Sequence, residues 1–282
     1  MLSASQIAEA VRDAIPRVAD SLRPDALVAL KRAAARERSD RGRAVLEQLL
    51  ANAEIAQRDA VPLCQDTGTV WVRVELGVQE CLCGDLQSEI DAAVAVAYRS
   101  AKLRMSVVKN ALFDRANTGT NTPAFVEVVP AAQPGTGAVV HLMLKGGGSD
   151  NASRVEMLPP SAGIEGVRRV VLETVEAGAT GACPPLFVGV GVGTTFDKVA
   201  GLAKRALLRP IGTEPVGPSI AALEADLLAE INATGIGPAG LGGDTTALAV
   251  HVLTAPCHIA ALPVAVNLGC SAVRSATFRV GE

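Results

Sequence analysis

The sequence predicts an α/β protein. It reads as a single mixed α/β domain over residues 1–282, with a helical N-terminal cap over about 1–58 and a mixed body over about 59–282. Three observations predict this class. Apolar residues in the first stretch recur at helical spacing. From about residue 70, β-branched runs bounded by Gly and Pro alternate with amphipathic stretches. No low-complexity linker or internal repeat divides the chain. Hydrophobic residues make up 49% of the sequence but aromatics only 2%, so the core must be built from Ala, Val, Leu and Ile.

The elements follow in order. Ser3-x-x-Gln6 is a capping-box pattern ahead of Ile7, Val11, Ala14 and Ile15, which predicts a first helix. Pro24 suits the first turn of a second helix through Leu27, Leu30 and Ala33. A third helix fits 42–57, with Val45, Leu46, Leu49 and Leu50 on one side. A fourth fits 88–103, where Ile90, Ala93, Val94, Ala97, Tyr98 and Ala101 form one stripe. Arg99, Lys102 and Arg104 lie at its C-terminal end, where the helix dipole favours cations. Strands fit 70–76, 124–129, 138–144, 186–192, 247–253 and 262–266, and further helices fit 163–177, 195–208 and 219–233.

The bulk properties exclude several functions. A formal net charge of −3 gives no general attraction to nucleic acid or acidic membranes, and no basic run carries interleaved aromatics. The most apolar stretch, 186–193, is far short of a membrane span. The first residues lack the basic and apolar regions of a secretory signal, so a cytoplasmic protein is expected. Its six cysteines are then expected as thiols or metal ligands rather than disulfides. Cys81-x-Cys83 has the wrong spacing for a C-x-x-C redox motif.

The connections carry more information than the elements. Five loops are dense in small and polar residues: 62–69, 117–123, 145–151, 181–185 and 235–246. Glycine lets backbone approach a ligand and present N–H groups to anionic oxygens, so the set suggests a pocket for a small polar anion. Taken singly, each is as readily an ordinary turn. Gly189-x-Gly191-x-Gly193 departs from the G-x-G-x-x-G of dinucleotide sites, and Lys145-Gly-Gly-Gly-Ser lacks the end of a phosphate loop.

Read together, the loops resemble a known family. Cys64-Gln65-Asp66-Thr67-Gly68-Thr69, Asn117-Thr118-Gly119, Lys145-Gly-Gly-Gly-Ser, Cys183-Pro-Pro, Gly235-Ile-Gly-Pro with Gly242-Gly-Asp-Thr-Thr-Ala, and His258-Ile-Ala-Ala-Leu-Pro-Val-Ala-Val-Asn leading to Cys270 resemble the class I, iron–sulfur fumarases. The similarity runs in the family's order over about residues 60–275. It implies a hydro-lyase that adds or removes water across a carbon–carbon double bond of a small dicarboxylate, most simply fumarate and malate. L(+)-tartrate dehydratase and mesaconate hydratase share the architecture and stand as alternatives. Because the chain stops shortly after Cys270, the resemblance is to an alpha subunit that needs a separate beta subunit, as an α2β2 heteromer.

The same resemblance implies the site. Cys64, Cys183 and Cys270 match the ligands of a [4Fe–4S] cluster, and three thiolates leave one iron open as a Lewis acid. From spacing alone they read more readily as small buried hydrophobes. Cys257, beside His258, is a rival ligand. Asp66 matches the general acid, and its alternative is an Asx turn capping Thr67-Gly68. Gln65, Arg104, Gly147 and His258 match substrate contacts: Arg104 as a carboxylate fork, Gly147 through its backbone N–H. His141 and His251, inside strand-like runs, read as structural. No base for removal of the α-proton is evident, and the family supplies it from the beta subunit. The run Cys270-Ser-Ala-Val-Arg274-Ser departs from the family in lacking an aromatic after the cysteine and a second arginine. A cluster-free scaffold protein and a nucleotide-dependent enzyme are the readings of other classes.

Overall fold

Ser3 caps the first helix as its sequence requires: its hydroxyl accepts from the Gln6 amide, and the Gln6 side chain accepts from the Ser3 amide at 2.9 Å. The computed structural model describes residues 1–132, 135–215 and 217–281. Its first half runs β1 (Leu2–Ser3), α1 (Ala4–Asp20), α2 (Pro24–Arg36), α3 (Asp40–Asp59), β2 (Thr69–Leu76), β3 (Leu82–Cys83), α4 (Leu86–Ser100), β4 (Phe125–Pro130) and β5 (Ala138–Lys145). The second half runs α5 (Gly147–Asn151), β6 (Arg154–Leu158), α6 (Gly163–Gly178), β7 (Leu186–Thr194), α7 (Phe196–Ala206), α8 (Pro218–Ala233), β8 (Ala247–Cys257), β9 (Leu262–Gly269) and β10 (Ser275–Val280). None of the described helices is long and apolar enough to cross a membrane.

The chain forms two compact units. The first comprises Met1–Arg23, Ala53–Gly147 and Arg274–Glu282, and the second Pro24–Asn52 and Gly148–Val273. The helical cap is therefore not a body of its own. α1 joins the first unit and α2 the second, because each buries its apolar stripe on a different sheet.

The first unit is a four-stranded mixed sheet in the order β10-β5-β2-β4. β2 pairs parallel with β4 and antiparallel with β5, and β10 pairs antiparallel with β5. Ile7, Val11 and Ile15 of α1 and Ile90, Val94 and Tyr98 of α4 share one core with Val70, Val72 and Val74 of β2. This is the stripe predicted for 88–103, although α4 begins at an Asp85 cap and ends at Ser100. β10, which the alternation left unpredicted, is recruited as an edge strand through pairing with β5 alone.

The second unit is layered α/β/α around the sheet β6-β9-β7-β8. Val188 and Val190 of β7 face α6 and α8, as part of a core with Val170, Val171, Leu227 and Ile231. α7 packs on the opposite face. There the glycine run of β7 finds its role. A Cβ on Gly189 would stand 2.3 Å from the Ala203 carbonyl oxygen, and one on Gly191 would stand 2.7 Å from the Ala203 nitrogen. The Gly189-x-Gly191 pattern is thus a seat for α7, which removes the ground for a nucleotide loop.

Candidate functional site

The predicted loops gather at defined places in each unit. In the first unit, Leu63 is tied to α1 by its N–H donating to the Ala19 carbonyl at 2.9 Å, and residues 64–68 turn from there into β2. Cys64 is a half-buried free thiol, and Gln65 is exposed. Asp66 sits at the centre. Its Oδ1 accepts from the Gly68 N–H at 3.0 Å and the Ser106 hydroxyl at 3.3 Å, and its Oδ2 accepts from the Gly147 N–H at 2.8 Å. The Gly68 bond is the Asx turn proposed as the alternative for this residue, so Asp66 both shapes the loop and stands half-open to solvent.

The Gly147 N–H donates to Asp66, because the turn after β5 brings it over that side chain. Gly68, at φ +80°, could not be replaced, since a Cβ there would meet the Lys145 carbonyl oxygen at 2.6 Å.

The floor of this site is rigid. Tyr98, fully buried, donates its hydroxyl to the Thr67 and Gly68 carbonyls at 3.1 and 3.0 Å, and burial pushes its phenol well above its ordinary value. Asn121, also fully buried, donates to the Gly68 carbonyl and accepts from the Ser106 N–H at 2.6 Å. The Asn117–Thr122 loop therefore serves the Asp66 turn through Asn121 rather than through Asn117. Arg104 follows α4; its carbonyl accepts from the Thr67 hydroxyl at 2.7 Å. Its guanidinium is exposed and makes no hydrogen bond or ion pair among the described residues. Arg274, 3% exposed, donates from Nη1 to the Asp66 carbonyl at 2.6 Å.

In the second unit, topology brings two of the three predicted cysteines together. β7 and β9 are antiparallel, with Phe187 opposite Gly269, so the residues before β7 and after β9 meet at one end. There the Ser271 N–H donates to the Cys183 carbonyl at 3.2 Å, one residue beyond Cys270. Cys183 is exposed and left-handed at φ 56°, and Cys270 is half-buried. Cys257 ends β8 and His258 begins the β8–β9 turn, at the other end of β9, about 25 Å away for eight residues of strand. Cys257 is thereby separated from Cys183 within this unit. His258 is exposed, and its Nδ1 accepts from the Ala260 N–H at 3.0 Å. The straight run of β9 holds it apart from Cys183 and Cys270. His141 and His251 are strand residues, held by Thr277 and by the Ala206 carbonyl. Among the described residues, no three His, Cys, Asp or Glu side chains form a ready-made metal site.

A residue that sequence analysis missed braces this end of the second unit. Glu37, 3% exposed, lies between α2 and α3. Its Oε1 accepts from the Ser39 and Asp244 N–H groups at 3.1 and 2.8 Å, and its Oε2 from the Thr245 hydroxyl at 2.8 Å. Arg38 pairs with both oxygens of Asp244 and holds that carboxyl down to about 2. The clamped loop in turn holds the cysteine loop: the Ala239 N–H donates to the Pro184 carbonyl at 2.8 Å, and the Leu186 N–H to the Thr246 carbonyl at 2.8 Å. Within Arg36-Glu37-Arg38, an acidic residue looks like part of a solvated charge run, so nothing in the sequence marks it as buried.

A family model described as fumarate hydratase (fumerase) matches residues 8–279. A Methanocaldococcus jannaschii relative, provisionally named the alpha subunit of L(+)-tartrate dehydratase, is 37% identical over 279 residues, covering 98% of each chain. The L(+)-tartrate dehydratase alpha subunits of Escherichia coli UTI89 and K12 are 36% and 34% identical over 281 residues, covering 98% of this chain and 91% of theirs.

Proposed function

The chain belongs to the fumarate hydratase family and is a hydro-lyase, and from that premise we propose that it is an alpha subunit holding a [4Fe–4S] cluster on Cys64, Cys183 and Cys270. The observation that carries the reading is the placement of the free thiols Cys183 and Cys270 at one end of the β7–β9 pair, away from Cys257. Three thiols on loops, none in a disulfide, are the right donors for an iron–sulfur cluster. When bound, the cluster supplies a Lewis-acidic iron for the departing hydroxyl.

The residues of this chain do the rest. Asp66, fixed by donors at both oxygens, exchanges the proton with the departing hydroxyl. Arg104, exposed and without a partner among the described residues, and Gln65, exposed beside Asp66, bind the substrate. Gly147 contributes by orienting Asp66. His258, exposed after β8, is a further substrate contact. The base that removes the α-proton comes from a beta subunit, in a cytoplasmic α2β2 assembly.

The substrate is malate and fumarate by the Asp66-Thr-Gly-Thr and Gly242-Gly-Asp-Thr-Thr-Ala runs. L(+)-tartrate is the second reading, favoured by the names of the relatives. The test is anaerobic reconstitution with the beta subunit, assaying fumarate from malate and oxaloacetate from L(+)-tartrate. The pair should turn over one substrate far faster than the other, and the chain alone should be nearly inactive. Full activity from the isolated chain would overturn the split site, and a colourless, inactive pair would overturn the hydro-lyase reading of these residues.

A further inference from the structure

Arg274 is a buried cation without a counter-ion. Its side chain is 3% exposed, yet it makes no ion pair among the described residues, and its Nε–H is buried without a hydrogen-bond partner. Its one hydrogen bond is from Nη1 to the Asp66 carbonyl. Burying a guanidinium this way is costly, because its charge has no ion-pair partner and its Nε–H no acceptor among the described residues. Position 146 lies against it, since a Cβ there would be 3.3 Å from Nη2 and 3.4 Å from Asp66 Oδ2. At 147 a Cβ would meet only Asp66 Oδ2, at 3.7 Å. Two adjacent glycines thus let the loop lie close over the Asp66 carboxylate, with the guanidinium beside them. β10 fixes the arginine, because the Leu144 N–H donates to the Arg274 carbonyl at 2.9 Å immediately before the strand pairs.

We propose that Arg274 is a substrate-binding residue that receives one carboxylate of the dicarboxylate beside Asp66, with Arg104 receiving the other. The planar fork satisfies a carboxylate in two bonds, supplying the missing counter-ion and a partner for the free N–H. This rests on the hydro-lyase reading, so the probe is chosen to be independent of turnover. Succinate is a dicarboxylate with no hydroxyl to lose, and succinamate is its monoamide.

Both are titrated by calorimetry into the anaerobic, cluster-loaded pair carrying wild-type, R274Q or R274K alpha chain. The R274Q change should weaken succinate about 30- to 100-fold, the loss expected for a buried charge-assisted contact, while succinamate weakens far less. R274K should recover part of the succinate affinity, since it restores charge without the fork. Visible absorbance of the cluster should be unchanged in both. If R274Q does not fold, R274K is read alone, and a loss of succinate affinity of at least threefold is expected. Succinate binding unchanged in the variants, or succinate and succinamate weakened alike, would overturn the proposal. Absent turnover in the wild-type pair is a separate result and bears on the hydro-lyase reading alone.

Discussion

Replacing Glu37 should loosen one end of the second unit without touching any proposed ligand. The carboxylate accepts three hydrogen bonds, from Ser39, Asp244 and Thr245, at 2.8–3.1 Å. A hydrogen bond to a charged acceptor contributes about 1.5–3 kcal/mol when buried. The three donors are only half-buried, so water replaces part of what Glu37→Ala removes, and we expect a loss of about 3 kcal/mol. For a domain of this size that lowers Tm by about 6–12 °C. Glu37→Gln should cost about 1 kcal/mol, because the amide oxygen still accepts from both N–H groups and the Thr245 hydroxyl can turn to accept from the new NH2. The loss should also be local. Amide hydrogen exchange over 237–246 should quicken by up to about 100-fold, while α1 stays protected. Since this loop holds the Pro184 carbonyl, iron retained per chain after anaerobic reconstitution should fall as well. A Glu37→Ala chain with Tm within 2 °C of wild type and unchanged exchange over 237–246 would refute the brace.

The remaining predictions concern the thiols, the tyrosine and the carboxyl pair. Cys64→Ser, Cys183→Ser and Cys270→Ser should each abolish the broad visible absorbance of the reconstituted chain, while Cys81→Ser, Cys83→Ser and Cys257→Ser should keep it. Tyr98→Phe removes the hydroxyl donor to the Thr67 carbonyl, leaves Gly68 only its Asn121 donor, and should cost about 1–3 kcal/mol by urea denaturation. Tyr98 is the single tyrosine, so its titration can be read directly at 295 nm. Burial raises its folded value, so phenolate should form only as the protein unfolds above pH 10, and earlier ionisation in the folded chain would contradict its packing. Asp244, lowered to about 2 by Arg38, contributes stability above the unfolded carboxyl value of about 3.9, and that contribution is lost as pH falls through 2. The difference in urea midpoint between wild type and Asp244→Asn should therefore be present at pH 5 and absent near pH 2, and smaller in high salt.

Much of this protein is local and was legible as such. Helical periodicity and the Ser3 box specified α1, the stripe through Ile90 and Tyr98 specified α4, and the loop motifs specified the family, because each depends on residues a few positions apart. β6 and β10 were not legible, since an edge strand owes its existence to the partner it pairs with and need not alternate. The site divides in the same way. The residue types at 64–68, 183 and 270 follow from sequence, but their company does not. Antiparallel pairing of β7 with β9 brings Cys270 to Cys183 and carries His258 about 25 Å away, although His258 and Cys270 lie within one motif by sequence. Burial decided the rest. Glu37 and Arg274 look like ordinary surface charges in the chain, and only the tertiary structure removes them from water, where an acid must collect hydrogen bonds and a cation calls for an anion.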